Sequence, residues 1–329
     1  MDKQIVISIK TIFLTLLLIL AGYILYRLGP ILALLLIAVL IVFSIEPFIQ
    51  KIISIKIFGK NFKRNSAVII SYIIVIGLLI GAFTLIIPPI AIQLKKLIDS
   101  FPFLIQKLEK EYAFSLLDAV PANFLSGEKS IFSTAKSVVI TVFSVFTVFV
   151  LAIFTSLDWP NLINNLVDLL PAHLGKRVRD TVDEIQVNIS SWLRGELILM
   201  LIVGLFSFLG LWIIGVDYPL ALGIISGLFE VIPNFGPFLS AMCAGAVGFA
   251  ESPVKGAAAI FLFIVIQQLE NSFLVPKIMQ KVSGFSPLVI LLALLTGARL
   301  FGLVGAILAV PMTMVFIIIL RRVLAGSEN

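Results

Sequence analysis

Cysteine and histidine each occur once in this sequence, at Cys243 and His173. A lone cysteine cannot close an intrachain disulfide, and neither residue has the neighbours of a metal or redox site. Cys243 lies in an apolar stretch and reads as a small filler residue. His173, with no acid or cysteine beside it, reads as a surface residue rather than a ligand or base. Walker-type phosphate loops, HExxH and GxSxG with a suitable histidine are also missing. Enzymatic catalysis and ATP-driven work by this chain alone therefore have no residues to stand on, and no cofactor is expected. Charge is scarce too: 13% of residues are charged, against about 25% in soluble domains.

Apolar residues make up 60% of the chain, against roughly 45–50% in soluble domains, and they fall in long runs. That surface has to face lipid or other membrane helices, so the fold class is an all-α polytopic integral membrane protein with the bilayer as its first partner. The net charge of +6 would suggest nucleic acid in a soluble chain. Here it reads as Lys and Arg setting orientation from short loops, so no nucleic-acid partner is expected. Lys3 and Lys10 flank an apolar run that continues through Tyr26 without a convincing cleavage site. An uncleaved first span is the better reading.

Residues 5–26, 30–49, 67–90, 131–157 and 196–216 each hold enough apolar residues to cross a hydrocarbon core of ~30 Å. The loop 50–66 carries Lys51, Lys56, Lys60, Lys63 and Arg64 without an acid, which places it, and with it the N-terminus, in the cytoplasm. Residues 91–130 sum to zero charge. Leu94, Leu97, Ile98, Phe101, Leu104, Ile105 and Leu108 suggest an extracytoplasmic amphipathic helix that extends the third span, or one lying on the bilayer. Residues 158–195 read as one or two cytoplasmic interfacial helices.

The second half is interrupted in two places. Residues 218–250 break at Ile232-Pro233-Asn234-Phe235-Gly236-Pro237, and 284–320 break near Gly297-Ala298-Arg299-Leu300-Phe301-Gly302. Between them 256–275 is a sixth span whose second half is polar, with Gln267, Gln268, Glu270 and Asn271. If every apolar block crossed fully, Lys277, Lys281, Arg321 and Arg322 would all lie outside. If 218–250 and 284–320 each enter and return, all four cations lie inside, the C-terminus with them. The chain from 196 to 320 then reads as a span plus hairpin repeated in opposite orientation, the pattern of inverted-repeat transporters. Ionisable groups at membrane depth mark pathways. The path residues are expected to be Glu230, Pro233, Asn234, Gly236, Pro237, Gln267, Glu270, Asn271, Pro276, Arg299 and Gly302, with Arg299 able to pair with Glu230 or Glu270. Arg194 and Glu196 read as ordinary interfacial charges flanking Gly195.

Several stretches resemble the autoinducer-2 exporter family of membrane permeases. They are Trp192-Leu193-Arg194-Gly195-Glu196; Leu211-Trp212-Ile213-Ile214-Gly215-Val216; and Gly227-Leu228-Phe229-Glu230-Val231-Ile232-Pro233-Asn234-Phe235-Gly236-Pro237. Gln268-Leu269-Glu270-Asn271 through Val275-Pro276-Lys277-Ile278, Ser286-Pro287-Leu288-Val289-Ile290-Leu291, Arg299-Leu300-Phe301-Gly302-Leu303-Val304-Gly305 and Ala309-Val310-Pro311 complete the set. The chain departs from that pattern at Glu196, where the family often has Gln, and at Ala298-Arg299, where it often has a Gly pair. The resemblance implies transport across a bacterial inner membrane, with export of the quorum-sensing signal autoinducer-2 as the name-giving activity. It also implies exchange of Na+ or Li+ for protons as an alternative, and homo-oligomers. The expected substrate is a small polar solute or a cation. A non-transport membrane scaffold is a third reading, which gains ground if neutral variants of Glu230 and Glu270 complement a deletion.

Overall fold

The computed structural model describes residues 9–57, 60–112, 131–233, 235–278 and 286–325. With water absent from a bilayer core, each backbone N–H and C=O must find its partner within the segment, and helices achieve this. Apart from a two-residue antiparallel ladder pairing Lys56-Ile57 with Lys60-Asn61, the described elements are helical. They are α1 (Ile9–Ser54), α2 (Arg64–Tyr112), α3 (Ile131–Asp168), α4 (Ala172–Ile214), α5 (Pro219–Phe229), α6 (Phe235–Glu251) and α7 (Pro253–Leu269). A π-turn (Glu270–Leu274) follows, then α8 (Val275–Ile278) and α9 (Pro287–Ala325). Six of the described helical stretches are long and apolar enough to cross a membrane.

The first departure from expectation is α1. Residues 5–26 and 30–49 were expected as two separate spans. From Ile9 onward they form one helix of 46 residues that passes through Pro30 and Pro47. At 1.5 Å per residue it is about 69 Å long, so Ile9 and Ser54 lie at opposite ends rather than on one side. A proline removes one hydrogen bond and kinks a helix, but between Tyr26 and Pro30 no cluster of polar turn residues exists to satisfy a reversal.

The second departure concerns 158–195. These residues are not separate interfacial helices: they continue α3 to Asp168 and begin α4 at Ala172, with a tight turn between. In that turn the Leu170 amide donates to the Val167 carbonyl, and the Leu174 and Gly175 amides donate to the Pro171 carbonyl. The expected extension of the third span beyond residue 91 is present as far as Tyr112; residues 113–130 lie outside the described residues.

The N-terminal core is built where α1 meets α2, α3 and α4, around Val42, Ile49, Val68, Tyr72, Ala152 and Ile189. Its buried carboxylate and hydroxyl groups are hydrogen-bonded, while Arg64 Nε has no partner among the described residues. Arg64 donates to both carboxylate oxygens of Glu46 at 2.7 and 2.9 Å and to the Ser156 carbonyl at 3.2 Å. The Tyr72 and Ser156 hydroxyls are 3.0 Å apart, and the Ser190 hydroxyl donates to the Phe43 carbonyl at 2.7 Å.

Both expected chain reversals are present. Helix α4 ends at Gly215, whose φ of 76° is left-handed; its amide donates to the Leu211 and Trp212 carbonyls. Pro219 then opens α5 at a position that needs no amide hydrogen. Helices α5 and α6 form a hairpin whose mouth is closed by the Asp217 amide donating to the Glu251 carboxylate at 2.6 Å. The second hairpin lies within α9, where Phe301 and Gly302 leave helical geometry and Gly302 takes φ 61°, ψ −144°. In a straight helix Gly297 and Gly305 would be about 12 Å apart. Instead a Cβ added to Gly305 would lie 1.9 Å from the Gly297 carbonyl oxygen, so the two arms lie backbone to backbone. Leu294, Ala306 and Ala309 bury between them, joined by Ile232 from the tip of the first hairpin.

This geometry predicts the effects of three substitutions. Gly305→Ala should lower the thermal midpoint of the purified protein by the equivalent of about 1–3 kcal/mol through overpacking, and Gly302→Ala should lower it through backbone strain. Gly22→Ala, where an added Cβ meets nothing within 4 Å, should be neutral or slightly stabilising. Equal midpoints for all three by scanning fluorimetry would contradict the hairpin.

Candidate functional site

The site begins with three glycines. Helices α4 and α5 run antiparallel, and small residues let them touch along their backbones. A Cβ on Gly223 would lie 2.9 Å from the Gly204 carbonyl oxygen, and one on Gly227 would lie 2.7 Å from the Met200 carbonyl oxygen. One turn further along the same seam, Glu196 of α4 and Glu230 at the end of α5 face each other. Glu230 ends α5 with its amide donating to the Ser226 carbonyl. The chain turns at once: a Cβ on Gly236 would lie 2.2 Å from the Phe229 carbonyl oxygen. Only glycine lets α6 return so close to the end of α5.

Glu270 reaches the same place from α7. It follows Ala259, Phe263 and Ile266, all buried, at helical spacing, so it falls on the inward stripe. There the helix widens into the π-turn, with the Val275 amide donating to the Glu270 carbonyl five residues back. Pro276 accounts for this: its ring cannot tolerate the ordinary position of the carbonyl four residues earlier, and a wider turn relieves the clash.

Glu196, Glu230 and Glu270 thus form one buried electrostatic group, with Glu230 and Glu270 within hydrogen-bonding reach of each other. Their residue exposures are 3%, 1% and 4%. Among the described residues, both Glu196 carboxylate oxygens and one oxygen each of Glu230 and Glu270 have no hydrogen-bond partner. No salt bridge reaches any of the three among the described residues. The contrast with Glu46 is direct: that carboxylate is 4% exposed yet held by two Arg64 nitrogens and by Gln50.

A second feature lies on another face of the same helix. Between α6 and α7 is a cavity of about 560 Å³. Pro237, Phe238, Met242, Ile260 and Phe263 contribute its apolar walls, and the carboxamides of Gln267, Gln268 and Asn271 line one part. Glu270 faces the carboxyl group and Asn271 the cavity, so this one turn of helix serves both.

Of the expected path residues, the structure brings Glu230, Gly236 and Glu270 to the carboxyl group and Pro237, Gln267 and Asn271 to the cavity. Pro233 lies half-buried in the hairpin turn, and Asn234 lies outside the described residues. Pro276 is exposed and acts through the π-turn. Gly302 forms the second reversal, and the adjacent Phe301 ring packs against Gly29 of α1. Arg299 corrects an expectation: it is exposed and pairs with neither Glu230 nor Glu270. Glu196 corrects another, being buried and unpaired rather than an interfacial charge. Two polar groups gave no usable signal in the sequence. One is Gln93 of α2, whose side-chain oxygen accepts from the Ala221 amide in the first turn of α5 at 3.1 Å. The other is Glu46.

Comparison with known proteins agrees with this architecture. A family model described as AI-2E family transporter matches residues 12–325. "Putative transport protein YueF" of Bacillus subtilis is 26% identical over 283 residues, covering 78% of this chain and 76% of that protein. A "Putative transport protein" of Thermotoga maritima is 24% identical over 332 residues, covering 96% of this chain and 95% of the other. "Putative transport protein YrrI" of Bacillus subtilis is 37% identical over 147 residues, covering 45% of this chain and 42% of that protein.

The paired and unpaired carboxyls should respond oppositely to neutral isosteres. Glu230→Gln and Glu270→Gln remove an uncompensated buried acid and should leave the thermal midpoint unchanged or higher. Glu46→Gln strips Arg64 of its partner and should lower it, by on the order of 1–3 kcal/mol. A loss of stability in all three variants would show that the buried group is a structural one.

Proposed function

This chain belongs to the AI-2E family of transporters, and from that premise we propose that it is a proton-coupled carrier of a small polar solute. The solute is of the autoinducer-2 type, exported across the bacterial inner membrane. One observation carries the coupling: three buried carboxyl groups, with no cationic partner among the described residues, meet where two membrane helices are broken. A carboxyl held as a fixed ion pair is structural. One left unpaired in an apolar setting is retained for exchange with something that arrives and leaves, and a proton is the smallest such visitor.

The α6–α7 cavity supports a solute with hydroxyl or carbonyl groups on a compact carbon frame. Gln267, Gln268 and Asn271 offer both donors and acceptors, and the phenylalanine and isoleucine walls cover apolar faces. Coupling between solute and proton follows from the shared turn at Glu270–Asn271. A solute bonded to Asn271 biases the π-turn, and the π-turn carries the Glu270 carboxyl.

In this reading the cation-rich face, with the loop 50–66 and Arg321–Arg322, lies in the cytoplasm. Residues 196–320 form the transport core of a single membrane domain, made of two inverted span-plus-hairpin units, and the chain works as a homo-oligomer. The second reading, exchange of Na+ or Li+ for protons, draws on the carboxylate oxygens as hard cation ligands.

The test is autoinducer-2 efflux from proteoliposomes. An opposing proton gradient should accelerate it in the wild type, and Glu230→Gln or Glu270→Gln should remove that acceleration at least about tenfold. Glu196→Gln should retain transport with an altered pH profile. A Na+-driven pH change that Glu270→Gln abolishes, without autoinducer-2 flux, would decide for the antiporter. Full complementation of a deletion by both neutral variants would decide for the scaffold.

A further inference from the structure

A separate cavity of about 550 Å³ lies far from the carboxyl group, between the first half of α4 and the last turns of α9. Its floor on α4 is the stripe Val178, Val182 and Ile185, spaced to share one helix face. Ile319 and Val323 close it from α9, and Arg177 and Arg322 stand among its lining residues.

The charge around it is uneven. Glu184 is gripped by Arg321 and by both Nε and Nη2 of Arg322, the last two at 2.9 and 2.7 Å. One carboxylate against two guanidinium groups leaves one positive charge over. Arg177 adds another, and its guanidinium makes no hydrogen bond or ion pair among the described residues. By helical periodicity Asp180 and Asp183 fall on the opposite side of α4.

The groove sits at a membrane boundary. Arg321 and Arg322 end the apolar run of α9. A few residues further along α4, Ser190 bonds to the Phe43 carbonyl inside the apolar run of α1. Trp159 stands at the same level, its ring 5.2 Å edge-on from Phe43 and its indole nitrogen donating to Gln186 at 3.2 Å. Tryptophans of this kind mark the bilayer interface. An apolar slot at that depth, rimmed by two arginines with surplus positive charge, matches a molecule with a hydrocarbon tail and an anionic head.

We propose that the α4–α9 groove binds one anionic phospholipid. An acyl chain lies along Val178, Val182, Ile185, Ile319 and Val323, and the phosphate is held by Arg177 and Arg322. The site is independent of the transport reading. Occupying it ties the start of α4 to the end of the second hairpin, adding to the Glu184 clasp.

Native mass spectrometry of the full chain in detergent tests this with dioleoyl phosphatidylglycerol, dioleoyl phosphatidylcholine and inorganic phosphate as probes. Phosphatidylglycerol should bind one per chain, in preference to phosphatidylcholine, and inorganic phosphate should not compete. Arg177→Gln should weaken phosphatidylglycerol about fivefold, the loss of one basic group at an anionic surface. Val182→Trp fills the slot without touching a charge, and should weaken both lipids while leaving the thermal midpoint of delipidated protein unchanged. Equal binding of the two lipids would overturn the proposal, as would full competition by phosphate. So would a Val182→Trp variant that changes the oligomeric mass but not lipid binding, because a second copy of the chain would then cover the groove.

Discussion

Backbone contact between α4 and α5 along Gly204, Gly223 and Gly227 is the constraint on which the rest of the site depends. A larger residue at any of the three would meet a carbonyl or main-chain carbon at less than ordinary contact distance. Because the helices touch there, Glu196 and Glu230 face each other one turn away. Because Gly236 lets the chain return at once, α6 packs back on α5, and α7 is then positioned to bring Glu270 to the same point. A seam of small residues is commonplace in membrane bundles. What this one does is force acidic side chains together in a buried place where no cation pairs with them among the described residues.

Placing unpaired carboxyl groups in an apolar interior works against stability, and the N-terminal bundle shows that this sequence can avoid it. Glu46 is as buried as Glu270, yet Arg64, Gln50 and the surrounding packing satisfy it. Among the described residues of the second half no cation pairs with Glu196, Glu230 or Glu270, and Arg299 is exposed and makes no ion pair with them. The difference between the halves is the physical basis for assigning structure to one and exchange of protons and solute to the other.

Much of this was legible from residue order. Pro233, Gly236, Pro237 and Gly302 cannot sit in an unbroken helix under an apolar sequence without a reason, so both hairpins could be read. Glu270 could be singled out as an ionisable group in the polar half of an apolar span. The continuity of α1 was hidden, because Gly29-Pro30 carries the same local signal whether a helix bends or reverses; only the neighbours decide, among them Phe301 packing on Gly29. Glu196 was hidden for a related reason. Arg194 and Gly195 beside it resemble a membrane boundary, and its burial comes from α5, a partner distant in sequence that periodicity cannot reveal. The π-turn shows the same limit: Pro276 could be named as a path residue, but the widened turn before it is seen only in the structure.

The most direct test of proton coupling is a balance-point measurement in proteoliposomes. A fixed autoinducer-2 gradient is opposed by a series of proton gradients, and the gradient that just stops net solute movement is found. The coupled carrier predicts a zero-flux point at a finite proton gradient, displaced whenever the solute gradient is changed, and absent in Glu230→Gln. Net movement that follows the solute gradient alone, whatever the proton gradient, would contradict it.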